Sequence, residues 1–271
     1  MFLDNLFKTQ RYYHHDGSRH SHPHPHETGG DSSIATQKSG TREIKVVRRV
    51  LDVNEKMAAQ NRKMFTDKGI FVLNVMSSPG SGKTMTLEKT LARITPQIRS
   101  AVIVGDICTT NDADRLAVSG APVVQVNTDE FGGDCHLAAH VIEKALGGLD
   151  LDNIDLLIVE NVGNLVCPAE FDIGEDARAV VLSVTEGEDK PAKYPLMFRE
   201  CEVALLNKVD LLPYLDYDKD KAIDYIHQVH PDMPIFEISA KTEQGFEPWI
   251  EWLLNKVKEK AQLAGLLTAD D

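Results

Sequence analysis

Short apolar runs alternate with amphipathic stretches along most of this chain, from Gly69 onward. Within each run, consecutive positions are apolar, which is typical of strands buried on both faces of a sheet. We predict strands at Ile70–Met76, Ala101–Gly105, Val123–Val126, Leu156–Val159, Val180–Val184, Val203–Leu206 and Ile235–Ile238. Apolar spacing close to the helical period predicts helices at Thr84–Ile94, Cys135–Leu146, Lys219–His230 and Glu247–Ala264. This alternation predicts an α/β fold with a mostly parallel, doubly wound sheet.

Residues 41–68 precede this pattern and are amphipathic in a different way. Charged residues separate apolar positions at near-helical spacing, which predicts an N-terminal helix. The apolar positions are Ile44, Val47, Leu51 and Met57. The chain is therefore predicted to consist of a tail at 1–40, this helix, and one α/β domain at 69–271.

The tail is the unusual part of the composition. It has few apolar side chains after Tyr13, and its proline and glycine disfavour a helix, so we expect it to be disordered. It holds six of the ten histidines, spaced by proline and serine: His14, His15, His20, His22, His24 and His26. Imidazole suits borderline metals such as Ni²⁺, so we interpret the tail as a flexible chelator that buffers metal.

Charge and cysteine usage exclude several functions. The chain has 29 Lys and Arg against 42 Asp and Glu, a net charge of −13. That balance argues against binding nucleic acid through its phosphates. No apolar stretch approaches the roughly 18–20 residues of a membrane helix, and the N-terminus lacks the pattern of a secretory signal. The cysteines form no CxxC pair, which indicates a reducing compartment, so we expect a cytoplasmic protein. The charge and the lack of a membrane helix lead us to expect that it binds neither nucleic acid nor membranes.

A phosphate-binding loop follows the first predicted strand. The segment from Ser77 to Thr84 matches the Walker A pattern in its strand–loop–helix setting. Lys83 would supply charge to the β- and γ-phosphate oxygens, and the Thr84 hydroxyl would ligate Mg²⁺. Ser77 stands where the pattern begins with glycine, a change small enough to cause only modest strain. The backbone N–H groups that would converge on a phosphate belong to Gly80, Ser81 and Gly82.

Acidic residues at two further strand ends extend this site. Asp106 ends the second strand and would face the phosphates. Glu160 ends the fourth strand, where open α/β sheets bind ligands, and could hold Mg²⁺ through water. Gly163 could sense a γ-phosphate through its backbone. We therefore assign catalytic roles to Lys83, Asp106 and Glu160, and Mg²⁺ binding to Thr84, Asp106 and Glu160.

Two loops bear on hydrolysis. The loop after the second strand carries Asp112 and Asp114 and is a candidate switch, with Asp112 close to the nucleotide. Either aspartate could instead be the N-cap of a helix over Ala113–Val118. Asn164 occupies the place where a water-orienting glutamine is expected after Gly163. We therefore expect slow hydrolysis by the isolated chain.

A guanine pocket is predicted at the last two strands. An Asp210 carboxylate can accept hydrogen bonds from guanine N1–H and its exocyclic amino group, whereas adenine offers neither donor. The Lys208 stem would lie over the face of the base. The pocket residues, each just after a strand, are Asn207, Lys208, Asp210, Ser239, Ala240 and Lys241. The expected nucleotides are GTP and GDP.

A second kind of ligand chemistry lies near these loops. Cys135 and His136 are adjacent at a predicted helix start, where a helix N-terminus favours the metal-binding thiolate. Cys167 follows the turn that would sense the γ-phosphate. Cysteine and histidine suit Zn²⁺ or Ni²⁺ rather than Mg²⁺. A buried cysteine can also be a small apolar side chain, which is our interpretation of Cys108 and Cys201. Three ligands leave a tetrahedral site incomplete, so water or a second subunit would complete it.

Five segments carry a resemblance to a known family: Ser78–Thr84, Asn127–Leu137, Glu160–Ala169, Glu186–Pro195 and Asn207–Asp210. On these segments, the chain from Thr41 to the C-terminus resembles the HypB family of hydrogenase nickel-incorporation GTPases. It implies a P-loop GTPase that dimerises with nucleotide between its subunits. It also implies that Cys135, His136 and Cys167 bind metal at the dimer interface, and that Lys193 lies near the partner's nucleotide.

The same resemblance implies partners and a cargo. The family delivers nickel to the precursor of the [NiFe]-hydrogenase large subunit, together with a small nickel- and zinc-binding protein of the HypA type. Some members carry an N-terminal cysteine motif for nickel, but this chain has no cysteine before Cys108, so its histidine tail would serve as a store. One alternative is a nickel store with a regulatory GTPase core. Another is a urease-type nickel-insertion GTPase, which would be expected to carry a Cys-Pro-His motif that is absent here.

Overall fold

A seven-stranded sheet with the order β3-β2-β4-β1-β5-β6-β7 forms the centre of the molecule. The computed structural model describes residues 40–106, 111–127 and 136–266, with side chains from residue 50 onward except that of Asp106. All neighbouring strands are parallel, which confirms the predicted fold class. The strands are β1 (Phe71–Ser77), β2 (Ser100–Asp106), β3 (Val123–Asn127), β4 (Leu156–Glu160), β5 (Ala177–Ser183), β6 (Val203–Asn207) and β7 (Ile235–Glu237).

The helices connect these strands and cover both faces of the sheet. Predictions for the tail histidines, Cys108 and Cys135 concern residues outside the described part of the chain. None of the described helices is long and apolar enough to cross a membrane. The helices are α1 (Gly40–Lys68), α2 (Lys83–Ile94), α3 (Asn111–Ala117), α4 (Ala139–Leu146), α5 (Cys167–Glu170), α6 (Lys190–Lys193), α7 (Pro195–Arg199), α8 (Lys219–Val229) and α9 (Phe246–Leu263).

Two helix starts differ from the sequence prediction. Helix α4 begins at Ala139, so the prediction of helix at His136 is wrong. Ala138 is extended, and the Ala139 N–H is capped by a side chain of α1 instead of a neighbouring residue. Helix α3 begins at Asn111, which places Asp112 and Asp114 in its first turn and not at an N-cap. There, both carboxylates interact favourably with the helix dipole.

Apolar side chains from alternating strand positions fill the two faces of the sheet. On one face, Leu73 of β1 packs with Leu91 of α2 and Trp249 of α9. On the other face, Val72 packs with Phe65 of α1, together with side chains of α4. The edge strands β3 and β7 are largely half-buried, so burial on both faces holds for the central strands only. The sheet is thereby held rigidly, with all its carboxyl ends on one side.

Helix α1 belongs to the same compact unit as the sheet, and its backbone comes very close to the loop before β5. Gly174 in that loop has φ +93°, a conformation that side chains rarely adopt. A Cβ at this position would lie 2.7 Å from the Ala58 carbonyl oxygen and 2.8 Å from the Arg62 nitrogen. Glycine is therefore required here for both the backbone conformation and the packing of α1.

Gly174→Ala is expected to destabilise the protein more than an alanine at a comparable but open position. The matched control is Gly120→Ala, because Gly120 has φ +83° and its Cβ would meet nothing within 4 Å. The control should cost about 1–2 kcal/mol from backbone strain alone. Gly174→Ala should cost about 1–3 kcal/mol more, because its Cβ overlaps the α1 backbone. Urea denaturation measures both, and equal losses would contradict the close approach.

Candidate functional site

A cavity of about 590 Å³ opens where the strands of the sheet end. Its walls come from the loops that follow β1, β4, β6 and β7 and from the first turn of α3. Parallel strands present their carboxyl ends at one edge, so residues distant in sequence converge there. The sequence-predicted residues that line it are Gly80, Ser81, Gly82, Lys83, Thr84, Asp112, Glu160, Gly163, Asn207, Lys208, Asp210, Ala240 and Lys241.

The phosphate loop is held from beneath by Asn207, the last residue of β6. Asn207 is buried; its amide nitrogen donates to the Ser81 carbonyl at 2.9 Å, and its oxygen accepts from the Ala240 N–H at 3.0 Å. Gly82 has φ +92°, and a Cβ there would lie 2.5 Å from the Asn207 amide nitrogen. Ser77 ends β1 with its hydroxyl donating to the Ser78 carbonyl. One asparagine thus joins the phosphate side of the cavity to its base side.

Lys83, Thr84 and Glu160 form the charged floor of the cavity. The Lys83 ammonium lies 3.5 Å from the Glu160 carboxylate, and their side chains are 10% and 2% exposed. The Thr84 hydroxyl donates to Glu160 Oε1 at 2.7 Å. Burial raises the pKa of the Glu160 carboxyl, while Lys83 and Thr84 oppose that rise by favouring the charged form.

The donor set on this floor fits a hard cation. Within the described part of the chain, the buried Glu160 Oε2 has no hydrogen-bond partner. A carboxylate oxygen and a hydroxyl are ligands that Mg²⁺ prefers, and both face the nucleotide cavity. Asp106 ends β2 opposite Asn127 in the ladder, and only its backbone is described. Thr84 and Glu160 could therefore hold Mg²⁺ beside a bound phosphate.

The base side of the cavity is built around Asp210. Asp210 Oδ1 accepts a hydrogen bond from the Ser239 hydroxyl at 2.6 Å, so Ser239 lies behind the carboxylate and orients it. The Lys208 ammonium donates to the Gly80 carbonyl at 2.7 Å, stretching its stem across the phosphate loop. Asp210 itself lines the cavity, with its carboxylate held in place by this contact.

The two described metal candidates lie on separate segments that come together. His136 lies in a bend before α4, and its ring stacks on that of Phe171 with centroids 3.7 Å apart. Cys167 is the first residue of α5, which ends just before Phe171. Among the described residues, no group of three or more His, Cys, Asp or Glu side chains is arranged to hold a metal. Cys167 is disulfide-bonded in this structure, so it could bind a metal only after reduction to the thiolate. The predicted trio also includes Cys135, outside the described part, so metal binding by the trio remains a prediction.

Sequence reasoning missed a buried connection between these segments and the cavity. Asn161 is fully buried directly after Glu160, and its carbonyl accepts a hydrogen bond from the Lys83 ammonium. Its side-chain oxygen accepts from the Leu137 N–H at 3.2 Å and from the Val162 N–H at 2.9 Å. Its amide nitrogen donates to Asn74 Oδ1. One residue therefore contacts both the phosphate-binding lysine and the segment that carries His136.

Three further residues complete the comparison with the sequence prediction. Lys193 does not line the cavity; it is exposed and pairs with Asp189 at 2.7 Å. Cys201 packs in the core as predicted, and burial raises the pKa of its thiol well above the usual value. Arg115 lines the cavity but was not predicted, although it follows Asp112 by one helical turn. Its guanidinium pairs with Glu88 at 2.9 Å.

Comparison with known proteins gives the class that this fold and cavity define. A family model described as "CobW/HypB/UreG, nucleotide-binding domain" matches residues 71–237. That range contains β1 to β7 together with the phosphate loop and the Asp210 loop. The protein is thus a P-loop nucleotide-binding protein of the CobW/HypB/UreG class.

Individual relatives narrow this class. The hydrogenase maturation factor HypB of Escherichia coli K12 is 50% identical over 225 residues, covering 83% of this chain and 77% of that protein. The crystal structure of Helicobacter pylori HypB in complex with nickel aligns with a TM-score of 0.70 at 38% sequence identity, and the alignment covers 76% of this chain and 95% of that chain. The crystal structure of HypB from Archaeoglobus fulgidus aligns with a TM-score of 0.71 at 36% sequence identity, and the alignment covers 76% of this chain and 100% of that chain. The chain belongs to the HypB family of hydrogenase maturation factors.

Asn207→Ala is expected to lower the free energy of unfolding by about 2–4 kcal/mol, because it leaves two buried backbone groups without partners. The exposed Asn255 of α9 offers a matched control, since Asn255→Ala should change stability by less than about 0.5 kcal/mol. Urea denaturation without nucleotide measures both. A loss no larger than that of the control would show that Asn207 does not hold the two loops together.

Proposed function

We propose that this protein is a GTP-hydrolysing metallochaperone that delivers nickel to the precursor of the [NiFe]-hydrogenase large subunit. The observation that carries the proposal is Asn161, which contacts Lys83 in the nucleotide cavity and Leu137 beside the predicted ligand His136. The names of the relatives support it, because one is a hydrogenase maturation factor and another was crystallised with nickel. A nucleotide site and a metal segment that share a buried residue can influence each other.

The nucleotide is GTP in this proposal. Guanine would be recognised by Asp210, whose orientation is fixed by Ser239. Its triphosphate would lie against the backbone N–H groups of the phosphate loop and the Lys83 ammonium. Mg²⁺, held by Thr84 and Glu160 with Asp106 as the third expected ligand, would neutralise charge on the β- and γ-phosphate oxygens.

Hydrolysis by the isolated subunit would be slow. Asn164 occupies the position of a water-orienting glutamine, and its side chain is engaged locally, accepting from the Val166 N–H at 2.8 Å. The guanidinium of Arg115 is paired with Glu88, although its side chain lines the cavity. A rate limited in this way suits a switch, whose two nucleotide states must each last long enough to act.

Nickel is the cargo, with Cys135, His136 and Cys167 as its ligands once the Cys167 disulfide is reduced, and zinc as a competing ion at the same site. Lys83 donates to the Asn161 carbonyl. Phosphate would draw Lys83 away, altering the hydrogen-bonded unit formed by Asn161 and the segment after His136. Binding and hydrolysis of GTP would in this way change nickel affinity, as in other switches that respond to a γ-phosphate.

A second subunit would complete the site. Three ligands leave a tetrahedral site incomplete, and the exposed Lys193 is available to approach the nucleotide of a partner. The proposal therefore includes a homodimer linked by nucleotide and metal, acting in the cytoplasm. A HypA-type nickel and zinc protein and the hydrogenase precursor would be its partners, and the tail at 1–40 would store nickel.

Asp210→Asn is expected to weaken GTP binding by about 100-fold, because two hydrogen bonds from guanine to a carboxylate are lost. Xanthosine triphosphate should gain affinity, since its base presents a carbonyl that the asparagine amide can meet. Asp216→Asn, at an exposed position nearby, is the control. Isothermal titration with both nucleotides provides the measurement. Unchanged GTP affinity in Asp210→Asn would sink the guanine assignment.

Asn161→Ala tests the link between nucleotide and nickel. It removes the side-chain contacts to Leu137, Val162 and Asn74 but keeps the backbone carbonyl that accepts from Lys83. Affinity for GDP should therefore stay within about threefold. The ratio of nickel affinities with GDP and with a non-hydrolysable GTP analogue, expected at about 5- to 150-fold for wild type, should fall towards one.

The matched control for this variant is Asn164→Ala, because Asn164 lies in the same loop and its side chain accepts a hydrogen bond from the Val166 N–H of its own segment. Its ratio should equal that of wild type. A chelator-competition titration at saturating nucleotide gives the affinities. If wild type shows no dependence of nickel affinity on nucleotide, the proposed switch is wrong; if Asn161→Ala keeps a wild-type ratio, only the route through Asn161 is wrong.

A further inference from the structure

Two buried asparagines of α1 bridge the segments that follow His136 and Cys167. Asn54 accepts from the Ala139 N–H at 2.9 Å and donates to the Asp172 carbonyl at 2.7 Å. Asn61 donates to the Ala139 carbonyl at 2.9 Å and to the Ile173 carbonyl at 3.1 Å. Each side chain therefore has one contact on the α4 side and one on the α5 side. Their spacing of about two helical turns puts both on one face of α1.

Three of the four backbone groups that they contact lie where neither a helix nor the sheet supplies a partner; the fourth, the Ala139 carbonyl, lies in the first turn of α4. The Ala139 N–H is the first of α4, where a helix offers no internal acceptor. The carbonyls of Asp172 and Ile173 lie in the loop between α5 and β5, outside the sheet ladder. Asn54 and Asn61 are only 7% and 3% exposed, so water cannot readily replace them. Buried backbone groups need such partners, and asparagine can both donate and accept.

Other contacts hold the α5 side of this junction against α1. Arg62 donates to both Asp172 oxygens, at 2.7 and 2.8 Å. Asp172 Oδ1 also accepts from the Gly174 N–H at 2.8 Å, where the α1 backbone approaches most closely. Phe171, in the same loop, stacks on His136. The loop after Cys167 is thus fixed to α1 and to the residue proposed to bind metal.

We infer that α1 is a structural part of the metal site, and that Asn54 and Asn61 are positioning residues that set the separation between the His136 and Cys167 segments. The inference rests on the proposed function, in which those segments supply nickel ligands. Metal–ligand distances tolerate only about 0.2 Å, so the backbones that carry the ligands must be fixed. Helix α1 lies outside residues 71–237 and does not line the nucleotide cavity. Its asparagines therefore contact the segments proposed to bind metal and not the nucleotide cavity, so nickel affinity should change more than GDP affinity in their variants.

The test measures nickel and GDP affinities of Asn54→Ala and Asn61→Ala in the full chain. Each variant should bind nickel about 10-fold more weakly, the size typical of residues that orient metal ligands, while GDP affinity stays within about threefold. Hydrogen exchange of the nickel-free protein should be faster in peptides spanning 137–146 and 171–176. If both single variants fold and both keep the wild-type nickel affinity, the inference is overturned.

Two controls separate positioning from general instability. Gln60→Ala removes an exposed amide from the same helix and should leave nickel affinity unchanged. Gly120→Ala lowers stability in the loop between α3 and β3, where its Cβ would meet nothing within 4 Å, so an equal loss of nickel affinity in this variant would overturn the inference. If both asparagine variants fail to fold, Arg62→Ala provides the test. The Arg62 side chain is 43% exposed, and its substitution removes the ion pair with Asp172. It should weaken nickel binding by about two- to fivefold, and no change would contradict the proposal.

Failure of the proposed function gives a different result. If Cys167→Ala leaves wild-type nickel affinity unchanged, the assignment of Cys167 as a ligand is wrong. The role of α1 is then tested by hydrogen exchange in the nickel-free protein. Faster exchange in both segments of Asn54→Ala supports the bridge, and exchange equal to wild type overturns it.

Discussion

The pairing of Lys83 with Glu160 is the interaction on which the site depends. Both charges are nearly excluded from water, at 10% and 2% exposure, so each needs compensation from within the protein. Compensation comes from their mutual attraction at 3.5 Å, from Thr84, and from the Asn161 carbonyl. Their convergence requires β1 and β4 to be parallel neighbours, which the sheet order provides. In the proposed function, a phosphate and its cation would replace contacts that these charged groups already make within the protein.

Buried asparagines connect the Lys83–Glu160 pair and its cavity to other parts of the protein. Asn207 joins the phosphate loop to the base loop, Asn161 joins the lysine to the His136 segment, and Asn54 and Asn61 join that segment to the loop after Cys167. An amide side chain suits each position because it both donates and accepts, so one residue satisfies two backbone segments. Hydrogen bonds of Asn161, Asn54 and Asn61 thus connect one wall of the nucleotide cavity to both proposed nickel segments, whereas Asn207 connects two loops within the cavity.

Most of the fold could be predicted from sequence because its strands and long helices are locally encoded. Continuous apolar runs placed all seven strands, and helical spacing placed α2, α8 and α9 within a residue or two. The prediction for the start of α4 was wrong because its first N–H is capped by Asn54, far away in the chain. The short helices α5, α6 and α7 were missed, since four or five residues carry too little periodicity.

The sequence by itself determined the chemistry of the cavity, because the motifs around Lys83, Glu160 and Asp210 are contiguous and each follows a strand. Only the tertiary structure decided how those motifs are connected. It placed Ser239 behind Asp210, put Arg115 in the cavity wall, and made Asn161 and the two α1 asparagines the bridges between segments. The physical reason is that the sequence around an asparagine does not show whether its side chain will be buried or which backbone groups it will contact. Its partners, often more than 70 residues away, are fixed only when packing buries it beside backbone groups that need hydrogen bonds.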